Sequence, residues 1–211
     1  MTRITSGKAI VQSLQQYGID TLFGLPGVQL AQLFVALHDE REPIRVIANR
    51  HEQECGSMAY GYAQSAGRVG AYAVLPGPGF LKSSTGLATA YATNAPVLCI
   101  SGQVPSQQIG RNAGAHHEIT DQLGIIRNLT KYATRIAHPT LVPEAVEQAF
   151  RALGSGRRRP AALEMAPDIM AKEAAVTLRE PVTASPPPGP DPISATRSMP
   201  RKQSFPVKIC A

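Results

Sequence analysis

Long apolar runs are absent. Nowhere in the 211 residues does an uninterrupted hydrophobic stretch approach the roughly 20 residues needed to cross a bilayer. The N-terminal MTRITSGKAIVQ also lacks the apolar core of a secretory signal, so a cytoplasmic protein with no membrane partner is expected. Cysteine is scarce: Cys55, Cys99 and Cys210 are odd in number and lack metal-ligand spacing, which supports neither a disulfide framework nor a zinc site. Aromatic residues make up 5% of the chain, and none interleaves with its basic clusters as a single-strand nucleic-acid groove requires. The net charge of +6 draws largely on Arg157, Arg158, Arg159, Arg197, Arg201, Lys202 and Lys208, mostly in a tail, so a solvated end accounts for it and no nucleic-acid partner is expected.

What is present is an alternation of short apolar runs with helical patterns, the signature of parallel strands joined by crossover helices. Thr5 or Ser6 can cap a first helix with Ala9, Ile10, Ser13, Leu14 and Tyr17 at helical spacing, ended by Gly18. Strands are expected at 21–24, 44–48, 71–75, 97–101 and 161–165, the last completing the sheet, and helices at 30–37, 52–66, 81–91 and 142–153. Residues 103–124 read as a looser stretch. The expected fold is therefore α/β, a doubly wound, mostly parallel sheet with helices on both faces, over residues 1–172. Residues 173–211, with TASPPPGPDP, read as a Pro-rich linker and a disordered or truncated tail, the boundary falling between 172 and 183.

Three features carry chemistry. Glu52 opens a helix directly after an expected buried strand, which puts a carboxylate at the carboxyl edge of the sheet where ligands of open α/β sheets bind. A first-turn acid that merely complements the helix dipole, as many surface helices have, is the reading Glu52 favours when it is taken alone. Gly56, Ala59 and Ala63 give that helix a small-residue face on which something must pack closely, whether another element of the fold or a partner. Phe23-Gly24-Leu25-Pro26-Gly27 and Leu75-Pro76-Gly77-Pro78-Gly79 each run a strand into a Gly-Pro turn that lets a ligand approach the backbone.

The order and spacing of FGLPG, RHEQECGSMAYGYA, PGPGF and ATAYATNAPVLCISGQ resemble the pyrimidine-binding domain of thiamine-diphosphate enzymes. The likeness is to acetolactate synthase large subunits and covers about the first 170 residues. It implies a portion of a 2-oxo acid decarboxylase or carboligase, and a lyase or transferase chemistry. In that family the glutamate matching Glu52 hydrogen-bonds N1′ of the aminopyrimidine and favours its imino tautomer, while the cofactor serves as the electron sink. The resemblance implies that Gly24, Pro26, Gly27, Val28, Pro76, Gly77, Pro78 and Gly79 line the cofactor site with Glu52. His116, His117 and Gln103 are possible substrate-side residues. The chain departs from the family at Val28, at Lys82 where acetolactate synthases show Asn, and at His116-His117-Glu118 in place of Phe-Gln-Glu.

The family's Gly-Asp-Gly and downstream Asn, which hold the diphosphate through a divalent metal, have no counterpart in the sequence. Mg2+ is expected only with that domain, whether supplied by another chain or within a homo-oligomer, and FAD stays open. The chain is expected to be inactive alone and to keep an apolar surface near Glu52. A truncated gene product is the expectation the tail SMPRKQSFPVKICA favours. A split-enzyme subunit and a non-catalytic interaction module are the alternatives.

Overall fold

The computed structural model describes residues 2–39 and 44–181. Six parallel strands form the sheet, in the order β3-β2-β4-β5-β7-β6. They are β2 (Thr21–Gly24), β3 (Arg45–Ala48), β4 (Gly70–Val74), β5 (Val97–Gly102), β6 (Tyr132–Ile136) and β7 (Ala161–Met165). A separate antiparallel pair joins β1 (Thr2–Thr5) to β8 (Glu173–Val176). The helices are α1 (Ser6–Gln16), α2 (Ala31–Asp39), α3 (Glu52–Ala66), α4 (Pro78–Ala92), α5 (Gln122–Asn128), α6 (Val142–Gly154) and α7 (Pro167–Ala171). Among the described residues, no helix is long and apolar enough to cross a membrane.

Side-chain alternation along each strand builds two cores, one on either face of the sheet. In β4, Ala71 and Ala73 join the core under α1, α2 and α6, while Tyr72 and Val74 join the one under α3 and α4. In β5, Leu98 and Ile100 take the first face, Val97 and Cys99 the second. Both strands are buried throughout, as parallel strands covered by helices on both sides must be. The doubly wound α/β fold expected from the sequence is what forms.

Several local expectations change. The strand before Glu52 is not buried: β3 is an edge strand, and Arg45, Val46 and Ala48 are exposed. The sheet does not end at β7, because β6 pairs beside it as the other edge. Its apolar pattern is weak, since an edge strand needs only partial cover. Residues 173–176, expected in the linker, pair with β1. The expected tail beyond Thr183, with Cys210, lies outside the described residues.

The small-residue face of α3 is taken up inside the fold. Gly56 abuts Ser83 and Gly86 of α4, and a Cβ on Gly56 would stand 2.7 Å from the Ser83 carbonyl oxygen. Ala59 and Ala63 are equally buried, Ala59 against the start of β4 at Gly70. This crossing brings the N-termini of α3 and α4 side by side. Gly67 then closes α3 in the left-handed region.

Candidate active site

Sheet order decides where the site lies. From β2 the chain crosses through α2 to β3 on one side, while from β4 it crosses through α4 to β5 on the other. The loops leaving β2 and β4, neighbours in the sheet, therefore diverge and open a crevice at the switch point. Both Pro-Gly turns sit there, as does the loop before α3.

Glu52 is the first residue of α3, with His51 as its N-cap: the Gln53 backbone N–H donates to His51 Nδ1 at 3.2 Å. Glu54 in the same turn is exposed and serves the helix dipole from solvent. Glu52 is buried, its side chain only 11% exposed. Its Oε1 lies over the bare α-carbon of Gly79, where a Cβ would approach to 3.3 Å. Its Oε2 faces Lys82 Nζ at 3.6 Å. Among the described residues, that ammonium is the one cation within ion-pair distance of Glu52.

The second turn is shaped by glycine. Gly77 has φ of +59° and precedes Pro78, which occupies the first helical position of α4. α4 thus begins three residues earlier than expected, because proline's missing N–H is no loss in a first helical turn. A Cβ on Gly77 would also strike the His117 carbonyl oxygen at 2.2 Å, so only glycine fits here. Leu75 wedges between the turns: Cβ atoms on Gly27 and Gly79 would meet it at 2.6 and 3.1 Å.

A buried polar cluster fixes this turn from behind. The Gly77 N–H donates to Gln122 Oε1 at 2.7 Å, and Gln122 Nε2 donates to Glu164 Oε1 at 2.8 Å and to the Gly102 carbonyl at 2.9 Å. Gln103 Nε2 donates to the same Glu164 oxygen at 3.0 Å, while Gln103 Oε1 accepts from the Val104 N–H at 2.7 Å. Arg135 Nε binds the other Glu164 oxygen, so the fully buried carboxylate is paired on both sides. Gln103, expected on the substrate side, therefore does not face the crevice, since both ends of its amide are committed to the fold. Gln122 and Glu164 were not singled out from the sequence as site residues. Their only signal there is a polar residue beside apolar ones, too common to point anywhere.

His116 and His117 stack at 3.9 Å between ring centroids over the crevice. Burial, then the neighbouring His116, lowers the His117 pKa from its ordinary value, while the charge of Glu52 acts the other way. His117 Nδ1 and Glu118 Oε1 are buried without a hydrogen-bond partner. A cavity of about 530 Å³ is lined by Gly27, Val28, Leu75, Gln108, His116 and His117 among others, and Val28 stands 84% exposed at its rim. Of the predicted residues, Gly24, Pro26, Gly27, Val28, Glu52, Pro76, Gly77, Pro78, Gly79, His116 and His117 all come to this sheet edge. Another cleft, of about 350 Å³, lies at the opposite edge, where Asp20 accepts from Tyr62 and from Arg68.

The crevice thus brings a buried carboxylate, Glu52, and the unpartnered polar atoms of His117 and Glu118 to the sheet edge that carries an open cavity. A model of the thiamine pyrophosphate enzyme N-terminal TPP binding domain matches residues 4–125. The chain belongs to this thiamine-diphosphate enzyme family. The probable 2-ketoarginine decarboxylase of Pseudomonas aeruginosa is 36% identical over 168 residues, covering 80% of this chain and 30% of that protein. The acetolactate synthase large subunit of Lactococcus lactis is 36% identical over 170 residues, covering 80% and 29%. The mitochondrial acetolactate synthase catalytic subunit of Saccharomyces cerevisiae is 31% identical over 179 residues, covering 85% and 25%. The chain thus spans less than a third of these relatives and corresponds to the N-terminal cofactor-binding domain of acetolactate-synthase- and decarboxylase-like enzymes.

Proposed function

We propose that this chain forms the pyrimidine-binding half of the active site of a thiamine-diphosphate-dependent 2-oxo acid decarboxylase or carboligase and is inactive alone. The observation that carries the reading is Glu52: a first-turn carboxylate buried over the bare α-carbon of Gly79 at the switch point of the sheet. A residue serving only the helix dipole would sit in solvent, as Glu54 does.

Bound thiamine diphosphate supplies the nucleophile and the electron sink for decarboxylation. Toward it, the Glu52 carboxylate would hold or share a proton with the aminopyrimidine N1′, a charge-assisted hydrogen bond that burial would strengthen. Gly27 and Gly79 make room for Leu75, and Gly77 for the His117 carbonyl, so the glycines would set the shape of the two turns around the cofactor. His117, which lines the cavity, would serve on the substrate side as a proton donor or acceptor. The diphosphate and its Mg2+ would be held by a further domain bearing the Gly-Asp-Gly motif, which residues 1–211 do not contain. Among the described residues, no group of three or more His, Cys, Asp or Glu could hold a metal. A cytoplasmic location goes with this reading, and Cys55 and Cys99 are free thiols, as a reducing compartment keeps them.

The experiment replaces the matching N-terminal segment of the Lactococcus enzyme with residues 1–176 of this chain and assays pyruvate and 2-ketoarginine with thiamine diphosphate and Mg2+. Turnover of either 2-oxo acid is expected. Glu52→Gln keeps size and much of the hydrogen bonding but cannot carry the charge, so activity should fall by about 10² to 10⁴. A chimera whose turnover is indifferent to Glu52→Gln overturns the reading.

A further inference from the structure

We infer that Lys82 is a displaceable counter-ion: in the ligand-free domain its ammonium occupies the face of Glu52 that an aminopyrimidine must take, so binding requires it to swing away. This deepens the proposed function and rests on that reading. The two carboxylate oxygens of Glu52 are differently placed. Oε1 is pressed over the Gly79 α-carbon, where no ring fits without moving α4. Oε2 lies 3.6 Å from the Nζ of half-exposed Lys82, so departure of that ammonium is what would open this oxygen to a ring nitrogen.

Lys82 lies in the second turn of α4, on the same helix whose first turn carries Gly79, so the ammonium and the bare α-carbon close on the carboxylate from one element. Its side chain is 51% exposed against 11% for Glu52. The half-exposed partner is therefore the mobile one: a flexible four-carbon stem can carry its charge into water, whereas the carboxylate stays fixed at the start of α3. The adjacent Leu81 is also exposed, so the stem has room to turn along the helix.

An exposed ammonium paired with one carboxylate typically contributes up to about 1 kcal/mol, or about fivefold in an equilibrium constant. That is the penalty a competing ring meets. Like other partly exposed pairs, it weakens as salt screens the charges.

The test uses the full chain and the neutral aminopyrimidine fragment of thiamine, titrated by NMR chemical-shift changes at low and high salt. The probe is neutral in solution and one proton is taken up from the buffer on binding, held between Glu52 and N1′, so at fixed pH the Lys82–Glu52 pair is the charge interaction that salt weakens. Lys82→Met should bind the fragment about fivefold tighter than wild type at low salt. Wild-type affinity should rise with salt toward that of Lys82→Met, which should itself change little. Lys82→Arg, which keeps the cation, should behave as wild type. Damage to the helix would weaken binding, so a gain is not mimicked by a structural defect. Equal affinities for wild type and Lys82→Met, or weaker binding by Lys82→Met, overturn the inference. If Glu52→Gln still abolishes binding in that case, the proposed function survives. Absence of saturable binding by both wild type and Lys82→Met removes the inference together with the reading beneath it.

Discussion

Substituting Gly86 by alanine tests the crossing of α3 and α4 on which the position of Glu52 depends. A Cβ on Gly86 would lie 2.5 Å from the Gly56 carbonyl carbon, 2.8 Å from its oxygen and 2.9 Å from its α-carbon. Carbon atoms rest at about 3.5–4.0 Å, so the helices must part by about 1 Å. All three atoms are backbone, and no side chain can rotate away to absorb the clash. Overpacking of this kind costs about 1–3 kcal/mol. Alanine recovers about 0.5–1 kcal/mol through its better helix propensity. The net expectation is a loss of up to about 2 kcal/mol, or a melting temperature lower by about 4–8 °C. Gly61 supplies the internal control: it lies in α3, nothing stands within 4 Å of its would-be Cβ, and it is exposed. Gly61→Ala should stabilise by about 0.5–1 kcal/mol through propensity alone. Thermal melts followed by circular dichroism of the two variants should shift in opposite directions. A Gly86→Ala protein that gains as much stability as Gly61→Ala would refute the close packing of α3 on α4. Fragment binding should fall in the same variant, because parting the helices draws Glu52 away from Gly79.

Three further outcomes follow from the same interactions. Gln122→Leu leaves the Gly77 N–H without its acceptor and takes one donor from buried Glu164, so urea unfolding should show a loss of about 2–3 kcal/mol; an unchanged midpoint would mean the cluster does not hold the turn. His117 titrates below its ordinary 6.5 in the folded chain because of burial and then His116. The unfolded chain therefore binds the proton more readily, and this contribution to stability is full above about pH 6.5 and lost as pH falls through the lower folded value. Comparing His117→Gln with wild type from about pH 8 to about pH 5 should show the variant losing less stability, and parallel curves would contradict it. Burial first, and then the charge of Glu52, pushes the Cys55 thiol up to about 12, and burial pushes Cys99 up to about 12. In a Cys210→Ser chain neither should react with a thiol reagent at about pH 8 until denaturant is added. Prompt labelling of the native chain would show the core to be open.

Much of this protein was legible as sequence because its signals are local. Glycine and proline mark turns through backbone conformation alone, so FGLPG and LPGPG could be placed without the fold, and the alternation of apolar runs with helical spacing gave the α/β class. Glu52 stood out by position, at the start of a helix following a strand. Weakly patterned segments were read less well. β6 is an edge strand with little burial to impose a hydrophobic pattern, and β8 gains its partner from the far end of the chain at β1.

Only tertiary structure could separate the two readings of Glu52, since burial over Gly79 arises from a helix some 26 residues on, brought alongside by the Gly56–Gly86 crossing. It alone turned the small-residue face of α3 inward, where the sequence left open whether the neighbour was this chain or another. It alone assigned Gln103 to the core, because the hydrogen bonds that consume its amide come in part from Glu164, 61 residues away. Local propensity and spacing act over one helical turn or one strand pair, and they fix which elements form and where the chain bends. The order of strands in the sheet, and with it the divergence of the β2 and β4 loops that opens the crevice, depends on contacts between distant segments, and no local pattern carries those.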